Sequence, residues 1–184
     1  MRSAEARLVR HPLAPWSGPA LAIAVRCDAD DGVECRFELT GPIAALAVPA
    51  PAARDRVDGL WRHTCFELFA ARRGAAAYRE FNFAPSGAWA AYAFASYREP
   101  DAAPALPAPE ISTEVSSARL ALTARLAPGC WPQGAQPLEL GLAAVVETAR
   151  GELGYFALHH PGERPDFHDR RGFTLALAGT PSPP

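Results

Sequence analysis

Residues 60–92 read LWRHTCFELFAARRGAAAYREFNFAPSGAWAAY. Three short runs with strand-like alternation are joined here by two Gly-containing turns, at Arg73-Gly74 and at Pro85-Ser86-Gly87. One parity of the first run carries Trp61, His63, Cys65, Glu67 and Phe69, and one parity of the second carries Tyr78, Glu80 and Asn82. The opposite parities carry Phe66 and Leu68, then Phe81 and Phe83. Successive side chains along a strand point to opposite faces. The stretch therefore predicts one sheet with an apolar face for the core and a second face of aromatic, imidazole, carboxylate and amide groups. Such a face suits a small polar ligand, for example a sugar, better than it suits plain solvent.

The same period-two patterning recurs on both sides of this stretch. Leu21, Ile23 and Val25 alternate, as do Val33, Cys35, Phe37 and Leu39, with an acidic turn at Asp28 to Gly32 between them. Ile43 to Val48 is a further apolar run, and Pro49 to Asp58 is a Pro/Arg-rich loop. Glu99 to Pro109 reads as loop, because Pro cannot donate into a central ladder. Leu120, Leu122, Ala124 and Leu126 alternate again. Leu138 to Glu147 and Leu153 to His159 form a hairpin around Arg150-Gly151, His160 to Arg171 is a polar loop, and Phe173 to Leu177 closes the sheet. Helical periodicity is absent. Short strands at this spacing predict an all-β sandwich. Residues 1–178 are expected to form one domain and 179–184 a flexible tail.

A chain of 184 residues can bury a real core, and 49% hydrophobic with 21% charged residues is ordinary globular composition. The net charge of −2 gives no field that would draw nucleic acid or an anionic membrane. All 18 basic residues are Arg. Lysine-dependent Schiff-base and P-loop chemistry is thereby excluded. Cys27, Cys35, Cys65 and Cys130 form no CxxC pair and are expected as free thiols, with Cys35 and Cys65 buried or half-buried on strands. The first residues carry no apolar signal core, so a cytoplasmic location is the expectation.

Trp61 offers a flat apolar ring face and one N–H donor, the surface on which a pyranose stacks. Glu67, Glu80 and Asn82 supply acceptors and an amide donor, and a charge-assisted bond to a ligand hydroxyl is stronger than a neutral one. His159, His160 and His168, with Asp166 and with His63 from across the sheet, hold enough donors for a zinc or iron site, but no local ligand spacing supports one. Ser86 lies in a hairpin turn and not in a nucleophile elbow. Glu67 and Glu80, expected on neighbouring strands, are a carboxylate pair that a glycosidase-like distance would suit. Three functions stay open: a ligand-binding domain, a metal-assisted hydrolase using His63, His160 and His168, and an interaction domain without a small ligand.

Motifs in one order along nearly the whole chain resemble a bacterial group of DOMON-like proteins, which are related to the family 9 carbohydrate-binding modules. They are Leu8-Val-Arg-His-Pro12 with Pro15; Asp58-Gly-Leu-Trp61 running on through Thr64-Cys-Phe-Glu-Leu-Phe69; Tyr78-Arg-Glu-Phe-Asn-Phe-Ala-Pro-Ser-Gly87; Trp89-Ala-Ala-Tyr92; Tyr97-Arg98; Gly154-Tyr-Phe-Ala-Leu-His159; and Asp166-Phe-His168. The resemblance implies an immunoglobulin-like or jelly-roll β-sandwich of two antiparallel sheets that binds a sugar or haem. In the carbohydrate modules, tryptophans sandwich a terminal sugar and nearby polar groups hold its hydroxyls. Trp61 and Glu67 match one aromatic and one polar position of that pattern. Tyr155, Phe156 or Phe167 stands where a second tryptophan is missing. Tyr78, Arg98, His160 and His168 complete the expected ligand-contacting set. The haem relatives use Met and His, and the one Met here is Met1, so no cofactor is expected. A His–His haem site is the alternative ligation.

Overall fold

The computed structural model describes residues 2–29, 32–102 and 106–177. Its twelve strands are β1 (Arg2–Arg10), β2 (Ala22–Ala29), β3 (Val33–Thr40), β4 (Cys65–Arg72), β5 (Tyr78–Phe83), β6 (Trp89–Ser96), β7 (Glu99–Asp101), β8 (Glu110–Val115), β9 (Arg119–Leu126), β10 (Leu138–Glu147), β11 (Leu153–Ala157) and β12 (Leu175–Leu177). All named strand pairs are antiparallel. One layer runs β1-β2-β3-β9-β8, and the other runs β7-β6-β5-β4-β10-β11-β1, with β12 on β10. Strand β1 belongs to both: Arg2 to Leu8 pair with β2, and Val9 and Arg10 pair with β11. A strand that changes sheets makes the corner of a sandwich.

The core lies between the layers. Alternation predicts it well on β3, where Val33, Cys35, Phe37 and Leu39 are buried. Phe37 meets Phe66 of β4 across the sandwich, ring centroids 5.1 Å apart. Phe66, Leu68, Phe81 and Phe83 all enter this core, as their parity requires. The four cysteines are free and buried.

The outer face of β4 and β5 departs from the expected open surface. Every residue from Cys65 to Ala71 is buried, on both parities. The chain after β11 folds back over this face and builds a second small core of Phe69, Ala71, Tyr78, Ala143, Ala157 and Phe173. Phe173 lies against Gly141 of β10, where a Cβ would come within 2.7 Å of its ring, so the roof needs a glycine beneath it. Arg170 fastens the same loop through Ala75 O at 2.7 Å and sits 4.9 Å over the Phe173 ring.

Three local expectations are corrected. Trp61 and His63 do not lie on the strand with Glu67. Gly59 takes a left-handed φ of 82° and starts a 3-10 turn at Leu60–Arg62, so the strand begins only at Cys65. The apolar run from Ile43 gives a 3-10 turn, Ile43–Ala45, and a single bridge at Leu46. Glu99–Asp101 is not loop but a short edge strand, the one place where Pro100 is tolerated. Strands β1 and β8 had no readable signal: inward positions on β1 include Ala4 and Ala6, poor strand formers, and β8 buries Ile111 alone. The expected tail, 179–184, lies outside the described residues.

Candidate ligand pocket

The roof covers only part of the outer face. Beside it a cavity of about 540 Å³ remains open, with Glu67 and Glu80 on its floor. Register explains the floor. Glu67 of β4 pairs with Asn82 of β5, and Glu80 pairs with Phe69 and with Tyr92 of β6. These side chains therefore share one face with Phe94, which pairs with Tyr78. Tyr155 and Val145 share it too, being partners in the β10–β11 hairpin. Trp61 stands at the rim, 41% exposed, with its ring edge-on to Tyr92 at 5.9 Å. Tyr92 is held by its hydroxyl donating to Asp58 at 2.8 Å. Phe167, 6.2 Å from the Tyr155 ring, completes the far wall.

Two carboxyls buried this close together cannot both be freely ionised. Burial raises the Glu67 carboxyl well above the usual range, and neighbouring Glu80 raises it further, against the pull of Arg98. Burial raises Glu80 to about 7, although the bond from Asn82 and the charge of Arg98 oppose the shift. Asn82 Nδ2 donates to Glu80 Oε1 at 2.8 Å. Oε1 of Glu67, a residue only 3% exposed, finds no hydrogen-bond partner among the described residues.

One wall is a linked polar chain. The backbone N–H of Arg98 donates to the Tyr78 hydroxyl at 3.1 Å, and that hydroxyl lies 2.7 Å from His168 Nδ1. An oxygen that accepts from Arg98 keeps its own proton to give, so the network assigns an acceptor Nδ1 and a protonated Nε2. That Nε2 faces Glu80 Oε2 at 3.5 Å. Arg98 holds a left-handed φ of 53°, sparsely populated for a non-glycine residue. Its backbone is fixed by Tyr78, and its guanidinium donates to Asp166 at 2.9 Å, where the Tyr97 hydroxyl also donates.

His168 is depressed to about 4 by burial first and by Arg98 second, with Asp166 opposing. A depressed imidazole gives stability that is whole above its unfolded value of 6.5 and is lost as the pH falls toward 4. The stability difference between wild type and His168→Gln is therefore expected to shrink as the pH falls through this window. With solvent screening included, the change is about 2 kcal/mol. Denaturant melts at pH 7 and pH 4 check it. A difference that does not vary with pH would mean that His168 titrates in the folded protein as it does in the unfolded chain.

Of the residues expected from sequence, Trp61, Glu67, Glu80, Arg98, Tyr155, Phe167 and His168 line the cavity. Tyr78 and Asn82 lie just behind it, bonded to His168 and Glu80. Three residues belong elsewhere. The His63 side chain, 66% exposed, sits 2.8 Å from Glu147. Phe156 is buried between the sheets, edge-on to Trp16, because it alternates with Tyr155. His160 bonds Val9 O at 2.9 Å and packs edge-on to His11, tying the loop to β1. The imidazoles of a metal-assisted hydrolase thus hold separate partners. Among the described residues, no group of three or more His, Cys, Asp or Glu could hold a metal ion. Sequence reasoning missed Tyr92 and Phe94, which the parity of β5 carried across the Pro85-Ser86-Gly87 turn would have found. It also missed Arg62, Leu153 and Pro165, for which no pattern speaks.

Comparison with solved structures reaches the whole fold. A candidate carbohydrate-binding protein from Bacteroides uniformis superposes with a TM-score of 0.69 at 14% identity, over 94% of this chain and 85% of that one. A family 9 carbohydrate-binding module from Caldicellulosiruptor kristjanssonii, in complex with cellotriose, gives 0.62 at 10% identity, over 95% and 84%. A family 9 module from the same organism, in complex with glucose, gives 0.55 at 9% identity, over 82% and 73%. No family model and no curated protein matches the chain. At these identities the likeness establishes a shared fold: the chain is an all-β sandwich of the kind found in family 9 carbohydrate-binding modules.

Proposed function

We propose that this chain is a saccharide-binding domain whose site is the cavity between Trp61 and Phe167. The observation that carries the reading is the pairing of an exposed indole at the rim with a buried carboxyl oxygen, Glu67 Oε1, that has no protein partner. A sugar presents both complements: C–H faces for the ring and hydroxyls for the carboxyl. A cavity of about 540 Å³ lies within the usual range for small-molecule sites. Solved proteins of the same fold that hold cellotriose and glucose support the reading. The DOMON-like resemblance agrees with it as well.

Calorimetric titration with glucose and cellotriose tests the proposal. Trp61→Ala is expected to weaken binding by about 1–3 kcal/mol, the scale of truncating an aromatic anchor. Titrations that show no heat and no tryptophan fluorescence change with a broad set of mono- and oligosaccharides would refute it.

A further inference from the structure

We propose that the ligand of this pocket carries a basic nitrogen, an ammonium seated against the carboxyls of Glu67 and Glu80, so that an amino sugar is preferred over its neutral parent. The inference rests on the saccharide reading of the same site and narrows the class of sugar.

Two carboxyls share a buried floor, and neither has a cation of its own. Arg98 faces them from the β6–β7 turn, but its guanidinium is spent on Asp166, which also accepts from Tyr97. His168 presents Nε2 to Glu80 from 3.5 Å as a neutral imidazole. Asn82 supplies Glu80 with one amide bond. Cys65, also on the outer face of β4, is a buried thiol pushed up by burial and by Glu67, and brings no positive charge. Tyr92 gives its proton to Asp58. Arg62 lies on the exposed turn at the rim, where solvent screens it. What remains is the open oxygen of Glu67 on a floor with two protonatable sites, whose nearby cation, Arg98, is shared with Asp166.

Neutral hydroxyls can donate to such a floor in either protonation state, but they bring no positive charge to offset its ionisation. An ammonium supplies the missing positive charge and up to three donors. The exchange balances: a floor carboxyl gives its proton to the buffer, and the resulting carboxylate accepts an N–H bond from the incoming ammonium. The aromatic walls suit the same guest, because Trp61, Tyr92 and Phe94 line the cavity and the face of an aromatic ring attracts a cation placed over it. An anionic sugar meets the opposite situation, since its carboxylate would face two acidic groups.

The experiment compares glucosamine, glucose, glucuronate and ethanolamine by titration calorimetry at pH 7 and pH 5, in two buffers of different ionisation heat. Glucosamine is expected to bind about tenfold more tightly than glucose at pH 7, with proton release that the two buffers reveal. At pH 5, where the floor holds its protons, that preference should fall toward one. Ethanolamine, which has the ammonium without the ring, should bind more weakly than glucosamine. Glu67→Gln should lower the glucosamine-to-glucose ratio several-fold, and its melting curve shows whether it is folded. Glucose binding as tightly as glucosamine, or glucuronate binding more tightly, overturns the amine proposal and leaves the saccharide reading standing. Ethanolamine matching glucosamine, with no binding of glucose, overturns the saccharide reading. If none of the four binds, the amine proposal falls, and the saccharide reading is decided by the broader titrations described above.

Discussion

Phe81→Ala is expected to cost about 3–5 kcal/mol of stability, the range for truncating a phenylalanine in a packed core. Phe81 is 2% exposed and lies between Leu68 and Ala91 in the inner face of its sheet. Its ring meets Trp131 edge-on at 6.0 Å. The alanine leaves a cavity between two sheets that hydrogen-bonded ladders each keep rigid, so little collapse can fill it. Trp61→Ala is the contrast. Its ring is 41% exposed and has one aromatic neighbour, Tyr92. Its loss should change stability by no more than about 0.5 kcal/mol while reducing ligand binding. Urea melts of both variants read the two costs directly. Equal destabilisation would make Trp61 a core residue and remove the rim of the pocket.

The inner face of the sandwich was legible because it obeys a local rule. Phe66, Leu68, Phe81 and Phe83 are separated from Glu67, Glu80 and Asn82 by parity alone, and the antiparallel register keeps the two sets on opposite faces. The floor of the pocket was legible for the same reason. Its boundary was not. Whether an outer face is open or roofed depends on where the chain returns after β11. That return is fixed by contacts distant in sequence: Phe173 over Gly141, Arg170 to Ala75 O, His160 to Val9 O. No period in residues 158–174 reports them. The assignment of His63 failed for a local reason. One left-handed residue, Gly59, turns the chain just before the strand, and alternation cannot be carried back through a turn. Phe156 failed because the phase of β11 is set only by its pairing with β10. Tyr155 takes the pocket side, and Phe156 must take the core.

Glu67→Gln should make the unliganded protein more stable, and more so at higher pH. The wild-type carboxyl is buried, has an oxygen without a partner, and is raised well above the usual range by burial and by Glu80. A group whose folded-state value is raised contributes stability that is whole below its unfolded value, 4.5, and is lost as the pH rises through the folded one. At pH 4 the carboxyl is protonated in both states, and an isosteric amide should change little. Above pH 4.5 the unfolded chain of the wild type ionises and the folded floor resists. The amide has no such proton to lose, so the two stability curves should diverge. At pH 8 the variant is expected to be ahead by about 1–3 kcal/mol, the cost of a buried polar group left uncompensated. Glu80, raised to about 7 chiefly by its own burial, bends both curves in the same direction. Melts at pH 4, 6 and 8 decide the matter. A variant less stable than the wild type at pH 8 would mean that the folded protein holds Glu67 as a satisfied carboxylate. Stability gained by removing the buried Glu67 carboxyl would show it to be a cost to the fold, the pattern expected of a residue kept for binding.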